Sequence, residues 1–467
     1  MRKKWYKSLG WIVGVLILLM VSGAFAKVEF TLTGDSVVAH RMYRNLGDPA
    51  SPWDSIANTW TQTNRMVLTI KVSPDLYGVA RFDYDVFPNV YGISSGFGAW
   101  DAGGSVTVKA ANVNFKLPGI DWPTWVRVGI QDWVIRGDAF LNVTYGPGIQ
   151  VSSTSGNCRF GFGWAKLREY DETSSATARV DTAEVSASLF YGLLDYKWSK
   201  GNIGFYALTT TGEDDTPAKK IEGTIWWLGL YSDGKVGPVS YKFDFIYDTG
   251  KENSKVLGQV DYKYSGWFTR AVLTYPYDKF TFGLAGLYAS GDNYEKLAKG
   301  KVKGFVLPYR SGPMGAQAES LIVGSGWEVG PGPAGDVGYT TNPFAKTKIG
   351  HNLLASEGWP GMWGLRLFSY YKANKWLTLA GQIAYWGDTS KKGDSFEQWL
   401  GAGTKDKDED EIGWEVNVGA KIDIYKNLTL RTVFGYLFAG DAMDMKEVRG
   451  KKIDDPFAWV TTLVFTY

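Results

Sequence analysis

Large apolar and polar side chains alternate with a period of two along most of the chain, which predicts strands with one greasy and one wet face. From Trp414 to Ile424, one parity reads Trp, Val, Val, Ala, Ile, Ile and the other Glu, Asn, Gly, Lys, Asp. After the short turn Tyr425-Lys426-Asn427 the alternation resumes from Leu428 to Tyr436. Other tight turns fall at Ser73-Pro74-Asp75, Ser155-Gly156-Asn157, Asp233-Gly234-Lys235, Tyr277-Asp278-Lys279 and Ala373-Asn374-Lys375. Long polar connections lie between them, at 42–61, 88–104, 170–180, 212–220, 249–255, 292–360, 389–410 and 441–455.

Eighteen strands result, beginning with 28–41 and 62–73, including 201–211 and 221–232, and ending with 427–440 and 456–467. The stretch 257–275 is taken as one long, bulged strand, because splitting it gives an odd number and places the longest connection on the wrong side. Short turns alternating with long loops predict an all-β fold: a transmembrane antiparallel up-and-down barrel, with short periplasmic turns and long external loops. No Pro/Ser linker or charge block divides 27–467, so it reads as a single barrel domain. The 292–360 connection, with Gly330-Pro331-Gly332-Pro333, far exceeds ordinary loop lengths. It is expected either to fold into the lumen or to cap the mouth, the alternative being a cover on the outer surface.

The two ends point to export. Arg2, Lys3, Lys4 and Lys7 precede an apolar run from Gly10 to Val21 and a small-x-small site at Ala24 and Ala26. Residues 1–26 therefore read as a secretory signal peptide cleaved after Ala26, the apolar run being shorter than the ~20 residues of a spanning helix. At the other end Phe457, Trp459, Leu463, Phe465 and Tyr467 share one parity of the final strand. A last strand of this kind, ending on an aromatic, resembles the membrane-insertion signal of bacterial outer-membrane barrels. The resemblance implies outer-membrane lipid and the barrel-assembly machinery as partners.

Composition agrees. Aromatic residues make up 15% of the chain, including 21 Trp and 27 Tyr, as girdles at two membrane interfaces require. Mean hydropathy is only −0.18 because each strand is half polar. A net charge of +2 gives no electrostatic footprint for nucleic acid. His40, His351 and Cys158 are scattered, so neither a metal site nor a histidine-assisted active site is expected, and no cofactor is implied. The acidic and basic run 405–411 reads as a solvated external loop.

If the apolar parity meets lipid, the other lines the lumen. That rule places Arg65, Lys71, Arg81, Asp83, Asp85, Arg127, Gln131 and Arg159 inside, followed by Arg270, Arg366, Glu415, Lys421 and Arg431. Seven of these are arginines on seven different strands. A charge on the lipid face costs about 2–4 kcal/mol at the midplane, which favours this phase. Two readings stay open: an electropositive lumen that prefers anions, or wall-to-wall pairing in which Asp83, Asp85, Glu415 and Asp423 neutralise the arginines.

Several stretches resemble the alginate-export type of outer-membrane barrel and its porin-like relatives. They are Asn112-Val113-Asn114-Phe115-Lys116-Leu117-Pro118, Val126-Arg127-Val128-Gly129-Ile130-Gln131, Gly286-Leu287-Tyr288-Ala289-Ser290-Gly291-Asp292, Asn427-Leu428-Thr429-Leu430 and Gly435-Tyr436-Leu437-Phe438-Ala439-Gly440-Asp441. The resemblance implies an 18-stranded monomeric barrel with an arginine-rich lumen that passes an acidic polysaccharide. The expected function is a passive, porin-like channel for small hydrophilic, anionic solutes rather than an enzyme. The alternative is an export conduit for an acidic oligosaccharide or an alginate-like polymer.

Overall fold

The computed structural model describes residues 28–44, 56–86, 105–136, 141–172, 183–215, 220–256, 259–308, 319–320, 326–327, 355–358, 361–392, 409–443 and 455–467. The proposed leader, residues 1–26, lies outside them. The wall is a closed antiparallel sheet. Its strands are β1 (Glu29–Arg44), β2 (Ile56–Ser73), β3 (Leu76–Val86), β4 (Ser105–Lys116), β5 (Thr124–Ile135) and β6 (Leu141–Ser155). β7 (Cys158–Glu172), β8 (Ala183–Trp198), β9 (Gly201–Asp214), β10 (Ile221–Val236), β11 (Val239–Ser254) and β12 (Tyr262–Tyr264 with Trp267–Tyr277) follow. β13 (Phe280–Ala289), β14 (Met362–Lys372), β15 (Leu377–Asp388), β16 (Glu411–Tyr425), β17 (Leu428–Ala439) and β18 (Phe457–Thr466) complete it.

The sheet has 20 hydrogen-bonded segments. The two segments of β12 both pair with β11, and Lys301–Val302 lies parallel to Tyr262–Tyr264 beyond the end of β13. That leaves eighteen wall strands, as the alternation predicts. The break in β12 falls at Ser265-Gly266, where Asp248 of β11 bonds the Gly266 N–H through its carboxylate and the Gly266 carbonyl through its own N–H.

The outer surface carries the apolar parity: Trp226, Leu228 and Leu230 on β10, Leu365 and Leu367 on β14, Val416 and Val418 on β16 are all exposed. In a soluble protein such rows are a liability; against lipid they are the requirement. Among the described residues no helix is long and apolar enough to cross a membrane. The barrel closes where β1 pairs with β18, from Asp35↔Thr466 to Arg44↔Phe457. Tyr467 continues the seam: its N–H donates to the Gly34 carbonyl at 3.0 Å and its hydroxyl to the Arg65 carbonyl at 3.1 Å.

Several strands outrun the alternation at their external ends. β1 continues to Arg44, β9 to Asp214, and β2 starts at Ile56, inside the span expected to be loop. In β9 the extension is Gly212-Glu213-Asp214, which lacks the apolar phase that marks a strand inside the bilayer.

Candidate functional site

Two inward excursions shape the lumen. β5 pairs with β4 only as far as Ala111↔Ile130, and β6 reaches β7 only at Gly148↔Ala165. Beyond those points the two strands still pair with each other, to Ile135↔Leu141. The upper β5–β6 hairpin therefore leaves the wall on both sides. Gly129 permits the departure: its φ is +126°, and a Cβ there would lie 2.3 Å from the Ala111 carbonyl oxygen. Trp133 fastens the hairpin, buried to 1% exposure, with its indole N–H donating to the Gly146 carbonyl at 2.9 Å and its ring edge-on to Tyr191.

Arg136, just past the end of β5, shows where the hairpin goes. Its Nε donates to Asp244 of β11 at 2.7 Å and its two terminal nitrogens donate to Asp233 of β10, one at 3.0 Å. The guanidinium also lies 4.5 Å above the Tyr231 ring. Both aspartates share the parity opposite to exposed Leu230 and Phe245, so the hairpin folds into the lumen and reaches the inner face of β10–β11. Arg136 has φ +50°, a left-handed conformation that costs a non-glycine residue about 1–3 kcal/mol and persists only when contacts fix it. Tyr231 in turn donates to Asp195 at 2.6 Å.

The second excursion follows β13. Phe305, Val306 and Leu307 are buried. The inward indole of Trp227 donates to the Val306 carbonyl at 2.8 Å, the Val306 N–H donates to Asp248, and Phe305 stacks on Phe268. Asp292 accepts from the N–H groups of Lys303 and Gly304. Burial pushes the Asp292 carboxyl above its ordinary range, and those two N–H groups draw it part of the way back. Most of the remainder of 292–360 lies outside the described residues.

Around β8–β12 the polar-inside rule gives way. Leu189, Tyr206, Leu208, Ile225, Trp227, Ile246 and Phe268 face inward and are buried beneath these two excursions. The residues expected in the lumen lie mainly on the other strands. Arg81 grips Asp83 with two nitrogens at 2.8 and 2.9 Å and approaches Asp132 at 3.8 Å. Arg127 donates to Asn114 at 2.7 Å. Arg65 pairs with Asp35, Lys71 with Glu29, and Lys421 with Asp423. Arg366 donates to Gln382 and covers the Phe368 ring. Glu415, fully buried, accepts from Trp386 and Asn417.

Arg431 stands between Lys421 and Thr462 in register, and Arg270 opposite Asp244. Arg159 is exposed near the periplasmic end of β7, opposite Asp195. Gln131 is 1% exposed, and among the described residues its amide finds no partner. Asp85 keeps the inward register of β3, but its side chain lies outside the described residues. On β18, Trp459, Leu463 and Phe465 are exposed on the outer face, as is Tyr467 beside them, while Phe457 is half-buried.

Sequence reasoning missed Arg136 and its partners Asp233 and Asp244. It also missed the aromatic inner wall, although Ile225-Trp226-Trp227-Leu228 in β10 is a continuous apolar run, the mark of a strand buried on both faces.

The fold recurs in solved structures. OccK8 (OprE) of Pseudomonas aeruginosa is 14% identical, with a TM-score of 0.52 over 96% of this chain and 99% of that one. OccK11 (OpdR) of the same organism is 11% identical, TM-score 0.51, over 95% and 96%. The outer membrane protein opdK, also from Pseudomonas aeruginosa, is 11% identical, TM-score 0.50, over 94% and 99%. Comparison with curated protein sequences gives no match. The porin-like side of the resemblance is the one these findings support; they lend nothing to the alginate-export side. The sequence profile of the porin subfamily matches residues 223–460, half of the chain, and the protein is a member of that family: a channel-forming β-barrel of the bacterial outer membrane.

Proposed function

We propose that the channel passes small hydrophilic solutes passively and favours anions. The path runs along the polar inner wall of β14–β18 and β1–β5, since the opposite wall is covered by the two inward excursions. The observation that carries the reading is the distribution of inward cations: Arg65, Arg81, Arg366, Lys421 and Arg431 all stand on this side. Their carboxylate partners hold them in place and moderate the field, so selectivity is graded rather than absolute. Diffusion past fixed charges requires no reaction step, so no catalytic residue, metal or cofactor enters the mechanism. The leader 1–26 and the aromatic parity of β18 belong to the same reading, as export signal and as handle for the barrel-assembly machinery.

Reversal potential across a salt gradient in planar bilayers tests it. Anion selectivity is expected; a cation-selective potential overturns the assignment. The alternative, an export conduit for an acidic polysaccharide, predicts instead that uronate oligomers block the current at low concentration.

A further inference from the structure

The outer face of β7–β11 changes character toward its external end, and the strand register displays the change row by row. Within the apolar band, Leu194, Phe205, Leu230 and Phe245 lie side by side across β8–β11. Closer to the external end, one row reads Trp164, Phe190, Thr209, Trp226 and Thr249. The next reads Lys166, Ser188, Thr211, Thr224 and Lys251, with no apolar side chain in it. These side chains have the parity of the exposed Leu230 and Phe245, so they stand on the outside of the barrel. Ser188, Thr211, Thr224 and Lys251 of that row, together with Ser186, Glu213, Glu222 and Asn253, line an open cleft of about 460 Å³, and Lys166 stands at its rim beside Ser186.

We propose that this cleft is a binding site for the headgroup of a phosphorylated glycolipid in the outer leaflet. Continuity with the lipid-facing band selects the occupant. Acyl chains resting on Leu228, Leu230 and Phe245 end where the aromatic row begins, so whatever they carry must sit against the next row. That row has a lysine at each end for phosphate and three hydroxyls between them for sugar. Four strand spacings separate the lysines, roughly 19 Å at about 4.8 Å each, which accommodates a phosphorylated disaccharide.

The hydroxyls are ordered before any lipid arrives: Thr224 bonds Thr211 at 3.2 Å, and Thr211 bonds the Gly223 carbonyl at 3.2 Å. Lys166 is steered to the cleft by a 2.9 Å bond to Ser186. Glu222 above the row is taken up by Lys255 at 2.7 Å, so repulsion of phosphate is confined largely to Glu213.

Binding is measured on the purified full-length barrel in detergent, with a diphosphorylated diglucosamine lipid, its enzymatically dephosphorylated form, and phosphatidylglycerol. Wild type should prefer the phosphorylated glycolipid at least tenfold over both others. The double variant Lys166→Gln/Lys251→Gln should lose that preference, and Thr211→Val/Thr224→Val should weaken binding severalfold to either glycolipid. All should keep wild-type conductance and heat-dependent electrophoretic migration, which certifies the fold. Equal affinity for the two glycolipids, equally tight phosphatidylglycerol, or an unaffected lysine variant overturns the proposal. So does a barrel that ignores glycolipid but self-associates through this face, detected as loss of oligomers in the lysine variant.

Discussion

The inner faces of β8–β12 and of β14–β18 belong to one sheet yet are built from different residues. The first presents Leu189, Tyr206, Ile225, Trp227 and Phe268, packed beneath chain that has folded inward. The second interleaves Arg366, Gln382, Asn417, Glu415 and Arg431 with apolar Trp386, Val433, Leu437 and Val460. A β-strand wall constrains only its lipid side; what faces inward can be an apolar layer or, as at Arg366, Gln382, Glu415 and Asn417, a buried polar network. Filling one side of a wide barrel narrows the lumen without shrinking the barrel.

The sharpest way to break this contrast is to release the hairpin. Arg136→Ala takes a 2.7 Å ion-pair partner from Asp244, which is 2% exposed, and removing one partner of such a buried pair costs about 3–5 kcal/mol. Single-channel conductance should rise at least twofold or become noisy as the hairpin swings on Gly129. An unchanged, quiet trace means the clamp does not hold the constriction.

An intermediate effect is expected on the polar side. Arg81→Gln combined with Arg366→Gln should move the reversal potential toward cations while conductance changes by less than half. If the potential stays put, solutes do not pass along this wall.

The smallest effect concerns pH. Asp292 has its carboxyl raised by burial, so the docked 301–308 segment favours the protonated form. Its contribution is present below the ordinary carboxylate value, about 3.9, and is lost as pH rises through the elevated one. Current noise should therefore grow from acidic toward neutral pH, and Asp292→Asn should flatten that trend. A trend surviving in the variant assigns it to another group.

Legibility follows the same division. The eighteen strands could be read because lipid imposes one apolar parity on each, and the even count settled how to treat 257–275. The polar row of β14–β18 was readable for the same reason. Arg136 was not, because its partners lie 97 and 108 residues away and no local pattern announces a contact inside the lumen. The filled wall was half readable: the run at Ile225–Leu228 signals burial on both faces but does not say by what.

The bond between Tyr467 and Gly34 carries a consequence for closure. Because the strand that carries Tyr467 is the one that zips onto β1, from Asp35↔Thr466 to Arg44↔Phe457, a barrel without β18 is a ribbon with two raw rims. Such rims recruit strangers and precipitate. Closure therefore makes every other strand's pairing depend on this one seam.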